Sequence, residues 1–436
     1  MFRDRETLER SAAHALALDC AAAGVAAARP DRVVREAVRV DGDSLRVEGD
    51  AYDLGTFDEV VVVGGGKAGA QVAAALEDVL GDRLAGGVVV TDDPVPCERV
   101  EVLPGSHPVP SEEGVASTRR LLDAVAAADE RTLVLAVITG GGSALMAAPV
   151  VPLADLQATT DALLDSGATI HEMNAVRKHL SEIKGGQLAR AAAPATVVSL
   201  LFSDVVGDDP DVIASGPTVP DTSTYGDALA VCERYDLDLP ASVRERLEAG
   251  AAGDVAETPK PGDAAFERTS VHVVANATTA IRAARQVARE AGYDTCVLSS
   301  RVRGEAREQG LGHVAVAEEV RATGNPVSAP AVVLSGGECT VTVRGDGTGG
   351  PNQEFALRAA VDLEEGVLAC LDTDGRDGST DVAGAIVDGE TVDDAEAAWD
   401  ALADNDATPY LAARDALIET GRTGTNVNDL RVLVVP

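Results

Sequence analysis

The sequence predicts a two-domain α/β protein, and three observations carry that prediction. Short β-branched runs alternate with Ala/Leu/Glu-rich helical stretches, the pattern of βα units on a parallel sheet. The chain has 436 residues, too many for one ordinary core. A stretch rich in Gly, Ala, Pro and Asp, Ala249–Phe266, interrupts the alternation before it restarts.

In chain order, the N-terminal MFRDRETLERSAAHALALD reads as an amphipathic helix and lacks the long apolar stretch of a signal peptide. Strands are expected at Glu59–Val63, Gly87–Thr91, Thr132–Thr139 and Ala195–Phe202, each followed by a turn or helical pattern. Ala249–Phe266 then serves as the linker. Beyond it come a strand at Val271–Ala275, a helix at Thr278–Ala291 and a strand at Thr295–Ser299. Ala331–Leu334, Gly366–Leu371 and the closing Leu430–Val435 complete a second sheet, although the final strand fits either sheet by pattern alone. The division falls near residue 262, giving domains of residues 1–262 and 263–436.

Hydrophobic content of 45% with only 3% aromatics means a core of Ala, Val, Leu and Ile, as suits helices on parallel strands. The formal net charge is −36, and Lys67, Lys178, Lys184 and Lys260 are the only lysines. An acidic, lysine-poor surface spread along the whole chain fits a salt-rich cytoplasm. It opposes binding to nucleic acid and to anionic membranes, and no run is long and apolar enough to span a bilayer. The six cysteines are scattered with no CxxC pair, which points to reduced thiols and not to zinc or disulfides.

Several strands end in glycine-rich or polar turns, where open α/β sheets bind ligands. In EVVVVGGGKAGAQVAAAL, Gly64, Gly66 and Gly69 fit G-x-G-x-x-G between a strand and a helix, and Asp92 follows the next strand. Lys67 lies inside that turn. A cation at a helix N-terminus opposes the helix dipole unless an anion sits beside it, so Lys67 reads as an anion ligand. VITGGGSALMAAP offers Gly140, Gly141, Gly142 and Ser143 after a buried strand, without P-loop spacing. In HEMNAVRKHLSEIKGGQLA, Asn174, Arg177 and Lys178 share a helix face that Ser181 and Lys184 continue. LFSDVVGDDPDVIASGPTVPD places Asp204 at a strand end, suited to holding Mg²⁺ or accepting a proton from a hydroxyl. Gly336, Gly337 and Glu338 follow another strand, then Asn352, Gln353 and Glu354. Asp372, Asp374 and Asp377 cluster about a strand end, without the distal Glu of a calcium loop. Thr425, Asn426, Asn428 and Asp429 lead into the last strand.

Taken in order, VVGGGKAGA, ITGGGSALM, MNAVRKHLSEIKGGQLA, FSDVVGDDPDVIASGPTVPD, LSGGE, GGPNQE, DTDGRDGSTDVAGA and TGTNVNDL resemble the class II glycerate kinases over nearly the whole chain. The C-terminal half of that family is called the MOFRL domain. The resemblance implies a Rossmann-like N-terminal domain, a smaller MOFRL-type C-terminal domain and an active site in the cleft between them. It also implies ATP-dependent phosphorylation of D-glycerate, usually at the 2-hydroxyl to give 2-phosphoglycerate, with a divalent metal such as Mg²⁺. The family's GKA lysine falls on Lys67. Its frequent arginine before N-Q-E is here Pro351, and Arg177, Lys184 and Arg376 are the candidate replacements.

On this reading Lys67, Asp204, Arg177 and Lys184 are catalytic, with Lys67 neutralising the transferred phosphoryl group or the glycerate carboxylate. Gly65, Gly66, Gly140–Ser143, Asn174, Gly336, Gly337, Asn352, Gln353, Asp374, Thr425, Asn426 and Asn428 bind substrate and nucleotide, the Gly336–Gly337 turn through its backbone N–H groups. Asp204, Glu338 and Asp372 hold the metal. The expected partners are D-glycerate and ATP in a cytoplasmic enzyme, with a homodimer allowed for. Two competing readings are an NAD(P)H-dependent hydroxypyruvate reductase, resting on Gly64, Gly66, Gly69 and Asp92, and a non-catalytic sugar-acid or nucleotide sensor.

Overall fold

All eight residues of the strand Thr132–Thr139 are buried, as a parallel strand covered on both faces requires. It sits near the middle of a six-stranded sheet. The spatial order is Val100–Pro104, Leu84–Thr91, Glu59–Gly65, Thr132–Thr139, Thr196–Phe202 and Thr269–Ala275, and the first five are parallel. From Glu59–Gly65 the chain first builds outward on one side, then returns to start Thr132–Thr139 on the other. The order therefore reverses between these two strands, and their C-terminal ends flank the crevice where such sheets take ligands.

The computed structural model describes residues 1–436 and divides by internal contacts into two units. One is Val33–Val274. The other joins Met1–Arg32 to Ala275–Pro436. In the first, Val63, Val90, Val134, Ile138 and Leu201 form the sheet core with Leu121, Val125 and Leu188 from flanking helices. A smaller core of Leu163, Val176, Leu180, Tyr225, Val243 and Leu247 gathers the helices Leu153–Asp165, Ile170–His179, Tyr225–Arg234 and Ala241–Ala251.

The second unit has a mixed six-stranded sheet in the order Asp294–Glu305, Ala331–Thr340, Asp429–Val435, Val367–Asp372, Gly384–Asp388, Leu417–Ile418. The closing strand Asp429–Val435 is wholly buried and runs antiparallel to both of its neighbours. Its place in the second sheet answers the question that its sequence pattern left open. The helix Ala12–Ala27 packs against the helix Ala277–Glu290 and this last strand. The approach is close enough that a Cβ on Gly24 would lie 2.4 Å from Leu430 Cδ2.

Three features differ from the sequence-based expectation. The N-terminal segment is not one amphipathic helix, because Arg5–Leu8 stops and Ser11 caps a new helix at Ala12. That helix buries His14, Leu16, Leu18, Cys20 and Val25, since helix and sheet cover it on different sides. The strand containing Val271–Ala275 joins the first sheet, where Val271 and Val273 pack on its core. Ala249–Phe266 is not the passage between units. Its Glu257 accepts from the Tyr225 N–H at 3.0 Å and its Thr258 hydroxyl donates to Asp221 at 2.8 Å, holding the stretch to the first unit. The chain passes to the second unit at Val274–Ala275 instead of residue 262. No helix is long and apolar enough to cross a membrane, and all six cysteines are free.

Candidate functional site

The crevice of the first unit is built by backbones that approach too closely for side chains. A Cβ on Gly64 would fall 2.0 Å from the Val137 carbonyl oxygen, and one on Gly65 would fall 2.3 Å from that of Val90. On Gly66, at φ +127°, it would fall 2.2 Å from Thr139 Oγ1. The turn that follows is tied down internally. The Gly66 N–H donates to the Val90 carbonyl at 3.0 Å, Lys67 to Gly140 at 2.8 Å and Gly69 to Gly66 at 3.0 Å. The Ala68 N–H donates to Thr139 Oγ1 at 3.2 Å. The G-x-G-x-x-G turn thus has its donors engaged and does not present them to a pyrophosphate. What it presents is the Lys67 side chain.

The second turn carries the polar groups around that lysine. Gly140 lies so near Asp204 that a Cβ would sit 1.9 Å from Oδ2. Gly141, at φ +76°, leaves room for Lys67 Cγ and His107 Cδ2, each 3.1 Å from where its Cβ would be. The helix Gly142–Leu145 starts there, and its Ala144 and Leu145 N–H groups both donate to the Gly141 carbonyl at 3.1 Å. Ser215 Oγ donates to Asn174 Oδ1 at 3.0 Å, so the 2.7 Å contact between Ser143 and Ser215 has Ser143 as donor. Asn174 is 2% exposed and its Nδ2 has no partner.

Ala214, Ser215 and Gly216 all have left-handed backbone, at φ +50°, +62° and +64°. For Ala and Ser that conformation costs about 1–2 kcal/mol each. The loop is held in it by bonds to the next segment. The Ser215 carbonyl accepts from the Gly185 N–H at 2.9 Å, and that of Gly216 from Gly186 at 2.7 Å. Lys184 is positioned by the same contacts.

Arg177 and Lys184 line a cavity of about 200 Å³ together with His107, Gly141, Ser143 and Ser181, and no carboxylate faces it. Lys184 Nζ donates to the Met146 carbonyl at 3.0 Å. Burial, reinforced by the Arg177 charge, pushes Lys184 down to about 7. Burial also lowers Arg177. A desolvated pair of cations without a carboxylate suits an anionic ligand. Lys178, which was predicted to share this face, differs, and the next residue, His179, is also turned to structural partners. Lys178 is buried against Asp211 and Asp221, and His179 bridges the Ala175 carbonyl and Glu257. They hold the helix and do not reach the cavity. His107 lies in no motif of the sequence, and Ser215 lies within LFSDVVGDDPDVIASGPTVPD, where Asp204 alone was singled out. For His107 the only signal was its position after a strand end.

The other expected residues lie in the second unit, where several are structural. Gly336 and Gly337 do not form a turn. They lie inside Ala331–Thr340, opposite Leu430 and Asp429, with Val302 opposite Gly337 on the other edge. Their N–H groups belong to the sheet. A Cβ on Gly337 would lie 2.3 Å from the Val302 carbonyl oxygen, which is why glycine is needed. Glu338 follows on the same strand, exposed. Pro351 opens the helix Pro351–Asp362, a position where its missing N–H costs nothing. Asp377 caps that helix, accepting from the N–H groups of Asn352 and Gln353 at 2.9 Å and from both side-chain amides. Burial nevertheless pushes Asp377 up to about 6.

Asp372 and Gly337 both sit opposite Asp429 in the sheet, and Asn352 Nδ2 donates to Asp429 at 2.7 Å. These residues are brought together around a buried Asp429–Arg431 pair. Burial and the charges of Asp374 and Asp429 raise Asp372 well above the usual carboxylate range. Asp374 accepts from the Arg376 N–H at 2.8 Å, and the Arg376 guanidinium pairs with Asp381. Thr425 Oγ1 donates to the Ala28 carbonyl at 2.6 Å, and Asn426 Oδ1 accepts from the Asn428 N–H at 3.1 Å. The Asn428 carbonyl accepts from the Thr373 hydroxyl. No group of three or more His, Cys, Asp or Glu side chains is arranged to hold a metal ion. The set Asp204, Glu338 and Asp372 is divided between the two units.

Comparison with known proteins matches the domain of unknown function DUF4147 to residues 16–248 and the MOFRL family to residues 331–429. The chain is 40% identical to a D-glycerate 2-kinase of Thermotoga maritima, over 98% of each chain. It is 45% identical to an Agrobacterium vitis protein that bears a provisional hydroxypyruvate reductase name, over 86% of this chain and 87% of that one. The crystal structure of glycerate kinase from Thermotoga maritima superposes with a TM-score of 0.85 at 38% identity, covering 97% of this chain and 99% of that one.

Proposed function

We propose that this chain, which belongs to the glycerate kinase family that joins a DUF4147 domain to a MOFRL domain, transfers the γ-phosphoryl group of ATP to the 2-hydroxyl of D-glycerate. The observation that carries the proposal is the carboxylate-free cavity at the sheet's switch point, where Arg177 and Lys184 stand beside the turn that Lys67 enters. Phosphoryl transfer asks for positioning and charge neutralisation more than covalent chemistry. Arg177 and Lys184 bind the glycerate carboxylate. Lys67 meets the negative charge of the γ-phosphoryl group, and Asp204, against Gly140, orients the attacking hydroxyl and takes its proton as the new P–O bond forms and ADP departs.

We read Mg²⁺ as arriving on the nucleotide, which it usually accompanies with most of its ligands from phosphate and water. The excess of 72 acidic over 36 basic residues supports work in a salt-rich cytoplasm. Hydride transfer from a dinucleotide is disfavoured by the engaged N–H groups of Gly66, Lys67, Ala68 and Gly69.

The test is incubation of the purified protein with ATP, Mg²⁺ and D-glycerate in molar KCl, followed by identification of the product. 2-Phosphoglycerate is expected. 3-Phosphoglycerate would overturn the position of transfer, and a folded sample that forms no ADP would overturn the kinase reading.

A further inference from the structure

We infer a second anion site, apart from the switch-point cavity, on the helix Ala277–Glu290: Arg285 and Arg289 form a clamp, with Arg282 one turn earlier, for a di- or triphosphate group. The helix is capped by Asn276 and buries Ala280, Ile281, Ala284 and Ala288. Its other side carries Arg282, Arg285, Gln286 and Arg289, which with Glu290 line an open depression.

Arg285 Nε donates to Thr295 Oγ1 at 3.0 Å, and Arg289 Nε donates to the same oxygen at 3.1 Å. One hydroxyl thus holds two guanidinium groups side by side and leaves their Nη ends to another acceptor. None of the three arginines has a carboxylate at ion-pair distance. Glu290, the acid at the edge, is bound by Gln286 Nε2 at 2.9 Å. Like charges four residues apart on a helix repel, and this chain has two acids for every base to supply as partners. Arginines collected and pinned without an acid lack the counter-charge that an anion would bring. Planar guanidinium forks match phosphate oxygens in pairs. Seven residues of helix spread the three side chains over about 10 Å, a span suited to linked phosphates.

The inference does not depend on the kinase reading, because it is tested by binding. Pyrophosphate and ADP are titrated calorimetrically into the full chain at low ionic strength. The expected result is a pyrophosphate site that survives Lys67→Ala and weakens at least tenfold in Arg285→Gln/Arg289→Gln. Thr295→Val, which keeps every charge and removes the shared hydroxyl, weakens it at least threefold. Tighter binding of ADP than pyrophosphate there makes the ligand a nucleotide, and equal binding makes it the diphosphate group itself. The site is ruled out if pyrophosphate binds only where Lys67→Ala abolishes it. It is equally ruled out if Arg321→Gln/Arg344→Gln, which removes the same charge elsewhere in the unit, weakens binding as much.

Discussion

The Asp204 carboxylate occupies the space in which any side chain on Gly140 would have to begin, 1.9 Å from an ideal Cβ. Gly140→Ala must therefore displace Asp204 or the turn itself. An error of about 1 Å in a reacting group costs on the order of 100-fold in rate. Turnover of D-glycerate should fall by about that factor while the far-UV circular dichroism spectrum stays that of the parent protein. Activity within threefold of the parent would remove Asp204 from the mechanism.

Lys67→Ala should nearly abolish turnover and leave the fold intact. The backbone bond from residue 67 to the Gly140 carbonyl does not need the side chain, so the turn survives the change. Wild-type-like turnover measured by ADP release would show that the charge at Lys67 is not used.

Lys184 makes substrate affinity depend on pH. Its folded pKa is lowered to about 7 by burial and by Arg177. Only the protonated amine attracts an anion, so affinity is highest below about 7 and declines as pH rises through that value. KM for D-glycerate should rise above pH 7 by up to tenfold per pH unit, with kcat less affected because bound carboxylate restores the proton. Lys184→Met should show a high KM with no break near 7. A flat KM for the parent protein from pH 6 to 9 contradicts the assignment.

Ser215 joins Ser143 to Asn174 from a left-handed backbone. Ser215→Ala leaves the buried Asn174 Oδ1 without its donor and removes the acceptor of the half-buried Ser143 hydroxyl, at a cost of about 1–3 kcal/mol. Ser215→Gly loses the same bonds but relieves the backbone, so it should be the more stable of the two by about 1 kcal/mol. Urea denaturation of the two variants measures the difference, and Ala above Gly would mean that the φ of +62° carries no strain.

The switch-point turns were legible because their signal is local. A strand, a run of glycines and a helix follow one another without interruption at Glu59–Leu80 and again at Thr132–Leu145. Helical spacing also identified a cationic segment, but it could not separate Arg177 from Lys178. Successive residues on a helix point about 100° apart. Here one direction leads to Asp211 and Asp221 and the other to the cavity.

By itself the sequence determined the alternation of strands and helices, the acidic surface and the ordered motifs that place the chain in its family. Only the tertiary structure decided which sheet received Thr269–Ala275 and Asp429–Val435, and that Gly336–Gly337 is strand and not turn. It also brought His107 beside Gly141 and Ser215 beside Asn174. The physical reason is range. Periodicity and turn chemistry act over a few residues, whereas strand pairing and cavity lining join residues tens to hundreds apart, and many partners satisfy the same local pattern.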